Sequence, residues 1–422
     1  VTASYIKIDR QKSVMRVSKK TDARSAATYI IKNVHLLLPD GWQQDSCLQV
    51  TDGIITAIGK EVVPGSENII DAAGGHLFPG IIDLHGDAFE RHITPRAGTL
   101  FPLDLALAAN DASLVANGIT TFYYSITDGF EPGPRSRDTV RKLLLALEKL
   151  MPKFSCQAKV HIRHEKVNIE GHEELIDWLS SGRIHMLSLN DHLPQLDDAR
   201  AVDRYLVGLQ RRVTMDEEST QGFLRSLQGR REQGEGQTRE LAELALSVGV
   251  SLSSHDDQGL DDVARNVRLG TAIAEFPMDA ETARESRNSG IAILMGAPNL
   301  VRGGSHVGAI SVRDAVAAGL VDILCSDYHY PSLFTAPFVA AQQNLMTLAE
   351  AWKMVSENPA RAVDMGDQKG QIAVGYDADL LLISELDGCP LSLQATFIGG
   401  RLVYQRDGQW QTLPQSVEPV LI

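Results

Sequence analysis

The 422-residue sequence predicts an α/β protein, a (β/α)8 TIM-like barrel carrying a small β-sandwich built from both chain ends. Three observations lead there. Between residues 76 and 367, short apolar runs alternate with helical stretches, as successive parallel βα units require. Runs of a different, β-rich rhythm bracket that section at 29–75 and 368–415. Most of the apolar runs also end in a residue able to bind metal or move a proton, the signature of a barrel's C-terminal mouth.

The elements follow in order. Residues 1–28 carry Lys7, Arg10, Lys12, Arg16, Lys19, Lys20 and Arg24 without an apolar core, so they are no secretory signal and are read as a flexible extension. YIIKNVHLLL and SCLQVTDGIITAIG are strand-like runs broken by Asp52-Gly53, a hairpin signal. Eight barrel strands are expected in HLFPGIIDLHGD, GITTFYYS, AKVHIRHE, IHMLSLNDH, VSLSSHDD, TAIAEFP, IAILMGAPN and VDILCSD. Amphipathic stretches such as SRDTVRKLLLALEKLM and TRELAELALSVG lie between them. The charged connection at about 195–248 is too long for a plain loop and reads as a helical insertion. KGQIAVGYDADLLLI and ATFIGGRLVYQRDGQW then return to the β unit.

Composition narrows the function. Hydrophobic residues make up 43% and charged residues 22%, ordinary for a soluble enzyme. With 40 basic against 54 acidic residues the net charge is −14, which repels nucleic acid. No apolar run is long enough to span a membrane. Cys47, Cys156, Cys325 and Cys389 are scattered and form no CxxC pair, which fits reduced thiols in the cytoplasm. A homo-oligomer is left open.

The chemistry gathers at the strand ends: His85-Gly86-Asp87, His164-Glu165, Asn190-Asp191-His192, His255-Asp256-Asp257 and Ser326-Asp327. Strand alternation turns His85 with Asp87 inward, and likewise His161 with Arg163 and Glu165, leaving His164 to face the helices. Asn190 is grouped with His192, and Cys325 with Asp327. The inward metal-binding set is His85, Asp87, Glu165, His192, His255 and Asp327. Imidazoles mixed with carboxylates suit zinc, with manganese or iron as alternatives, as one or two ions. No GxSxG elbow, Walker-A run or helix-opening GxGxxG is present. Arg91, His92 and Arg96 follow the first strand, Lys166 sits on the rim, and Arg302 and His306 flank the glycine turn after the seventh. Arg163 points inward and needs either a carboxylate such as Glu165 or Asp83, or an anionic ligand. Such cations in an acidic protein point to a phosphorylated small-molecule substrate.

The runs LFPGIIDLHGDAFERHITPR and NPARAVDMGDQKGQIAVGYDADLLL, with the split β unit, resemble the amidohydrolase superfamily. ERHITPR, SLNDHLP, SSHDD, AEFP, MGAPNLVRGGSH and CSDYHYP are similar to a subgroup of diphosphatases of phosphonate metabolism. That resemblance implies a divalent-metal site from His85, Asp87, Glu165, His192 and His255, with Asp327 as catalytic base and further ligand. It also implies release of pyrophosphate from a ribosyl 5-triphosphate. One block departs from the subgroup: Gln195-Leu196-Asp197-Asp198 stands where a Gly-Gln-Arg-Gln run is usual, replacing a phosphate-contacting arginine by acids. A paralogue that cleaves a C–N bond, by cyclic-amide hydrolysis or deamination, is the second reading.

Overall fold

The computed structural model describes residues 5–9, 14–17, 28–60, 68–96, 98–130, 135–194, 199–212, 217–304, 310–386 and 389–406. The chain divides into two compact units. The first comprises residues 1–81, 115–120 and 367–422. Its N-terminal strands are β1 (Tyr5–Asp9), β2 (Val14–Val17), β3 (Tyr29–Leu38), β4 (Gly41–Thr51), β5 (Ile54–Gly59) and β6 (Asn68–Pro79). The stretch read as a flexible extension thus supplies β1 and β2, which pair with each other, while β1 also runs parallel to β6.

The second unit, residues 82–114 and 121–366, holds the barrel. Its strands are β7 (Ile81–Gly86), β8 (Ile119–Asp128), β9 (Gln157–Glu165), β10 (Met186–Asn190), β11 (Ser251–His255), β12 (Ile273–Glu275), β13 (Ala292–Gly296) and β14 (Ile323–Cys325). They lie side by side in that order as an eight-stranded sheet. A parallel bridge between Gly86 and Asp327 closes the ring. It consists of Asp87 N–H donating to the Asp327 carbonyl (3.0 Å) and Asp327 N–H donating to the His85 carbonyl (2.9 Å). Ile82, Leu84, Met186, Ile273, Leu294 and Ile323, from β7, β10, β12, β13 and β14, belong to a single buried apolar cluster. The run HLFPGIIDLHGD, expected as one strand, is two. Pro79 ends β6, and Gly80 lies so close to Thr120 that a Cβ there would come within 2.4 Å of it.

The long connection between β10 and β11 is helical as expected, with helices at Ala199–Arg212, Glu217–Gln228 and Arg231–Ser247. Leu224 and Leu227 from these helices are buried against Val167 and Leu193, which follow β9 and β10. The insertion therefore has its own apolar footing beside the mouth.

After the barrel, β15 (Leu380–Leu386), β16 (Cys389–Ile398) and β17 (Arg401–Gln405) rejoin the first unit. The predicted terminal β unit is a nine-stranded sheet ordered β17-β16-β15-β6-β3-β4-β5, with β1 and β2 off that path. Leu36, Leu48, Val50, Ile55, Leu77 and Phe397 form its core.

Candidate active site

The C-terminal strand ends converge on a cavity of about 170 Å³. His85, Asp87, Arg163, His255, Asp256, Asn299 and Asp327 supply its polar lining; Phe276, Pro277, Met278 and Met295 supply apolar lining. Of the expected ligands, His85, Asp87, His255 and Asp327 border the cavity directly. Glu165 and His192 adjoin it through His255, since His192 Nδ1 lies 2.5 Å from Glu165 Oε1 and His192 Nε2 lies 3.2 Å from His255 Nδ1.

Hydrogen-bond chemistry fixes several ring states. Arginine can only donate, so Arg163, 3.0 Å from His255 Nε2, makes that nitrogen the acceptor. His255 Nδ1 then carries the hydrogen and faces Asp256 Oδ2 at 3.2 Å. Arg163 also approaches Asp87 Oδ2 at 3.9 Å, while its Nε is buried without a hydrogen-bond partner among the described residues. The expected pairing with Glu165 or Asp83 is thus replaced by His255 and Asp87, which leaves arginine capacity unspent beside the cavity.

Burial and charge set the protonation states. Burial is the largest influence on Glu165 and would raise its pKa, but His192 and Arg163 outweigh it and bring the carboxyl to about 2. Burial opposes the charge on His192, yet Glu165 and Asp256 together raise it to about 10. Asp327 is pushed up to about 7 by burial and then by Asp87, so its carboxylate calls for a nearby cation. Burial drives His161 down to about 3 and His85 well below its ordinary value, so both rings are neutral.

Two groups of donors suit a divalent cation. His85, His161 and Glu275 bring one nitrogen or oxygen each within 4.8 Å of one another, and so do His192, His255 and Asp256. Mixed imidazole and carboxylate donors fit zinc, manganese or iron, and His161 Nε2 and Glu275 Oε1 are buried without hydrogen-bond partners among the described residues. His161, Glu275 and Asp256 are absent from the set drawn from sequence. His161 was visible two residues before Arg163 on the same face of β9. Glu275 ends the three-residue β12, too short for alternation to speak. Asp256 has φ +55°, so its carboxylate does not alternate away from His255.

The expected substrate residues divide. Arg163 lines the cavity. Arg91 lies over the Tyr328 ring, and Arg302 donates to the Tyr328 hydroxyl at 3.0 Å, so this tyrosine links cations from two short helices, Glu90–Ile93 and Ala297–Arg302. Lys166 is tied to Asp191 (3.1 Å) and Glu235 (2.8 Å), the latter from the inserted helices, and its charge is answered within the protein. Asn190 is buried and accepts from Ser188 at 2.5 Å. His92 is half-buried, and Arg96 is exposed, bridging Thr99. His306 and residues 195–198 lie outside the described residues.

The sequence model of the Amidohydrolase family matches residues 235–403. The α-D-ribose 1-methylphosphonate 5-triphosphate diphosphatase of Escherichia coli (strain K12) is 34% identical over 365 residues, covering 85% of this chain and 96% of that protein. The chain belongs to the amidohydrolase family. This amidohydrolase is also 23% identical to an adenine deaminase of Bacillus subtilis (strain 168), across 90% of this chain and 58% of that one. Among solved structures, a D-hydantoinase matches the amidohydrolase with a TM-score of 0.60 at 16% identity, covering 89% of this chain and 95% of its own. The ochratoxinase of A. niger matches at 0.61 and 14%, covering 90% and 96%. At those identities the likeness shows the shared fold. The family and the curated relative make the chain a hydrolase, and none of the described helices is long and apolar enough to cross a membrane.

Proposed function

We propose that this amidohydrolase is a cytoplasmic, metal-dependent phosphoric-anhydride hydrolase that releases pyrophosphate from a ribosyl 5-triphosphate in phosphonate metabolism. The observation that carries the reading is Arg163, a buried guanidinium on the cavity wall whose Nε has no hydrogen-bond partner among the described residues. Unspent arginine capacity beside clustered metal donors suits phosphate oxygens better than a neutral amide. The near full-length likeness to the diphosphatase supports the same choice.

His85, Asp87, Glu165, His192, His255 and Asp327 would hold one or two ions, zinc first and manganese or iron as alternatives, with Asp256 beside them. A divalent cation there supplies Lewis acidity and lowers the pKa of water towards about 7. Asp327 takes the proton of the attacking water. Arg163 neutralises charge growing on the phosphoryl oxygens, and Arg91 and Arg302 hold the rest of the polyphosphate. Charge-assisted contacts of this kind are worth about 1.5–3 kcal/mol each. Arg302→Ala is therefore expected to raise KM for triphosphates about 10-fold or more and to change kcat less.

The test is a panel of ribosyl and nucleoside triphosphates beside cyclic amides and amino-heterocycles, scored for pyrophosphate, ring opening and ammonia. Pyrophosphate release supports the proposal. Ring opening or ammonia with no pyrophosphate from any triphosphate replaces it with C–N hydrolysis.

A further inference from the structure

His161 Nδ1 lies 3.2 Å from the Leu84 carbonyl oxygen and 3.2 Å from Ser125 Oγ. A carbonyl can only accept, and the Ser125 hydroxyl donates to the Tyr123 carbonyl at 3.4 Å, so both neighbours accept. His161 Nδ1 must therefore carry the hydrogen. Its Nε2 lies 3.5 Å from Glu275 Oε1, and both atoms are buried without a hydrogen-bond partner among the described residues.

The other oxygen of the same carboxylate is well used. Glu275 Oε2 lies 2.6 Å from His85 Nδ1, with both side chains almost wholly buried. The carboxylate accepts, so His85 Nδ1 carries the hydrogen and His85 Nε2 keeps the lone pair. A ring held in this way by a carboxylate is oriented, fixed in one tautomer and made a more basic ligand.

We propose that Glu275 is a positioning residue for the metal centre, holding His85 by Nδ1 so that Nε2 is the ligand atom. The inference rests on His85 being a ligand, as the proposed function has it. It does not depend on which substrate is cleaved.

A glutamine keeps the hydrogen bond to His85 and removes the charge. In Glu275→Gln the amide oxygen still accepts from His85 Nδ1; in Glu275→Leu that bond is gone. The measurement is the Zn²⁺ and Mn²⁺ affinity and stoichiometry of the full chain by competition with a chromophoric chelator, with the melting temperature of the stripped protein as the check on folding. Glu275→Gln is expected to bind the same number of ions, with affinity lowered by up to about 10-fold. Glu275→Leu is expected to lose about 10- to 100-fold in affinity, the range usual for such outer partners.

Loss of a bound ion in Glu275→Gln would make Glu275 a ligand and overturn the assignment. Unchanged affinity in Glu275→Leu would reduce it to a packing residue. Should His85→Ala bind both metals as the wild type does, the ligand reading itself fails, whatever the Glu275 variants do.

Discussion

Asp327 sits at φ +52°, a left-handed conformation that asparagine adopts readily and alanine resists. Asp327→Asn is therefore a cleaner test of the base than Asp327→Ala. The asparagine variant is expected to lower kcat by about 10²–10⁴ with its Tm preserved, the usual scale for a lost general base. The alanine variant should also lose about 1–2 kcal/mol from the backbone. Turnover close to wild type in Asp327→Asn would move the proton to another carboxylate. His185 makes a separate, pH-dependent prediction. Burial, then Lys159, lowers its pKa to about 4, and its neutral Nδ1 accepts the Val160 N–H at 3.1 Å. Unfolded, it takes a proton near its ordinary value of 6.5. Its contribution is present above pH 6.5 and is lost as pH falls towards 4, by roughly 1–3 kcal/mol. Urea unfolding of metal-stripped wild type and His185→Phe should show a smaller loss for the variant over that interval. Equal slopes would assign the acid sensitivity elsewhere.

In β7, Gly86 leaves little room for a side chain. A Cβ there would come within 2.3 Å of the Phe122 ring and 2.9 Å of Ser326 Oγ. Phe122 is fully buried and braced edge-on by Tyr124 and Tyr330, so it cannot swing aside. Gly86→Ala is expected to destabilise the barrel by about 1–3 kcal/mol, measurable by denaturant unfolding; a neutral outcome would mean that β8 shifts to make room. Strand and helix order was legible in the sequence because alternating apolar runs and amphipathic stretches are local properties. The inward set was legible as far as the strands extend: Arg163 and His161 share one face of β9, while His164 turns to Asp128 at 2.7 Å on the other. Beyond the last strand residue the two-residue rule stops. Asp256, Phe276 and Asp327 all take left-handed backbone just past β11, β12 and β14, which redirects their side chains. Asp327 was placed at the mouth through alternation from Cys325, but the turn after β14 is what brings it there. The Glu275–His161 pairing joins β12 to β9, a contact no local pattern encodes.

For the molecule as a whole, a chain of net charge −14 carries a cavity lined by Arg163 and clustered metal donors. Elemental analysis of protein grown with added zinc, manganese and iron is expected to find between one and two divalent ions per chain. Stripping them should lower Tm, because an ion that binds only the folded state stabilises it; finding none after such growth would remove the metal reading. The barrel closes between β14 and β7 through the two reciprocal backbone bonds of Asp87 and Asp327. Asp83, buried beneath them, accepts from Ser326 N–H at 3.1 Å and His85 N–H at 3.3 Å. The clasp of the hoop is thus made from the residues that line the cavity. Deuterium can enter the amides of Asp87 and Asp327 only when that clasp opens, so their exchange rates form a clock for the assembly of the site that runs without substrate or turnover.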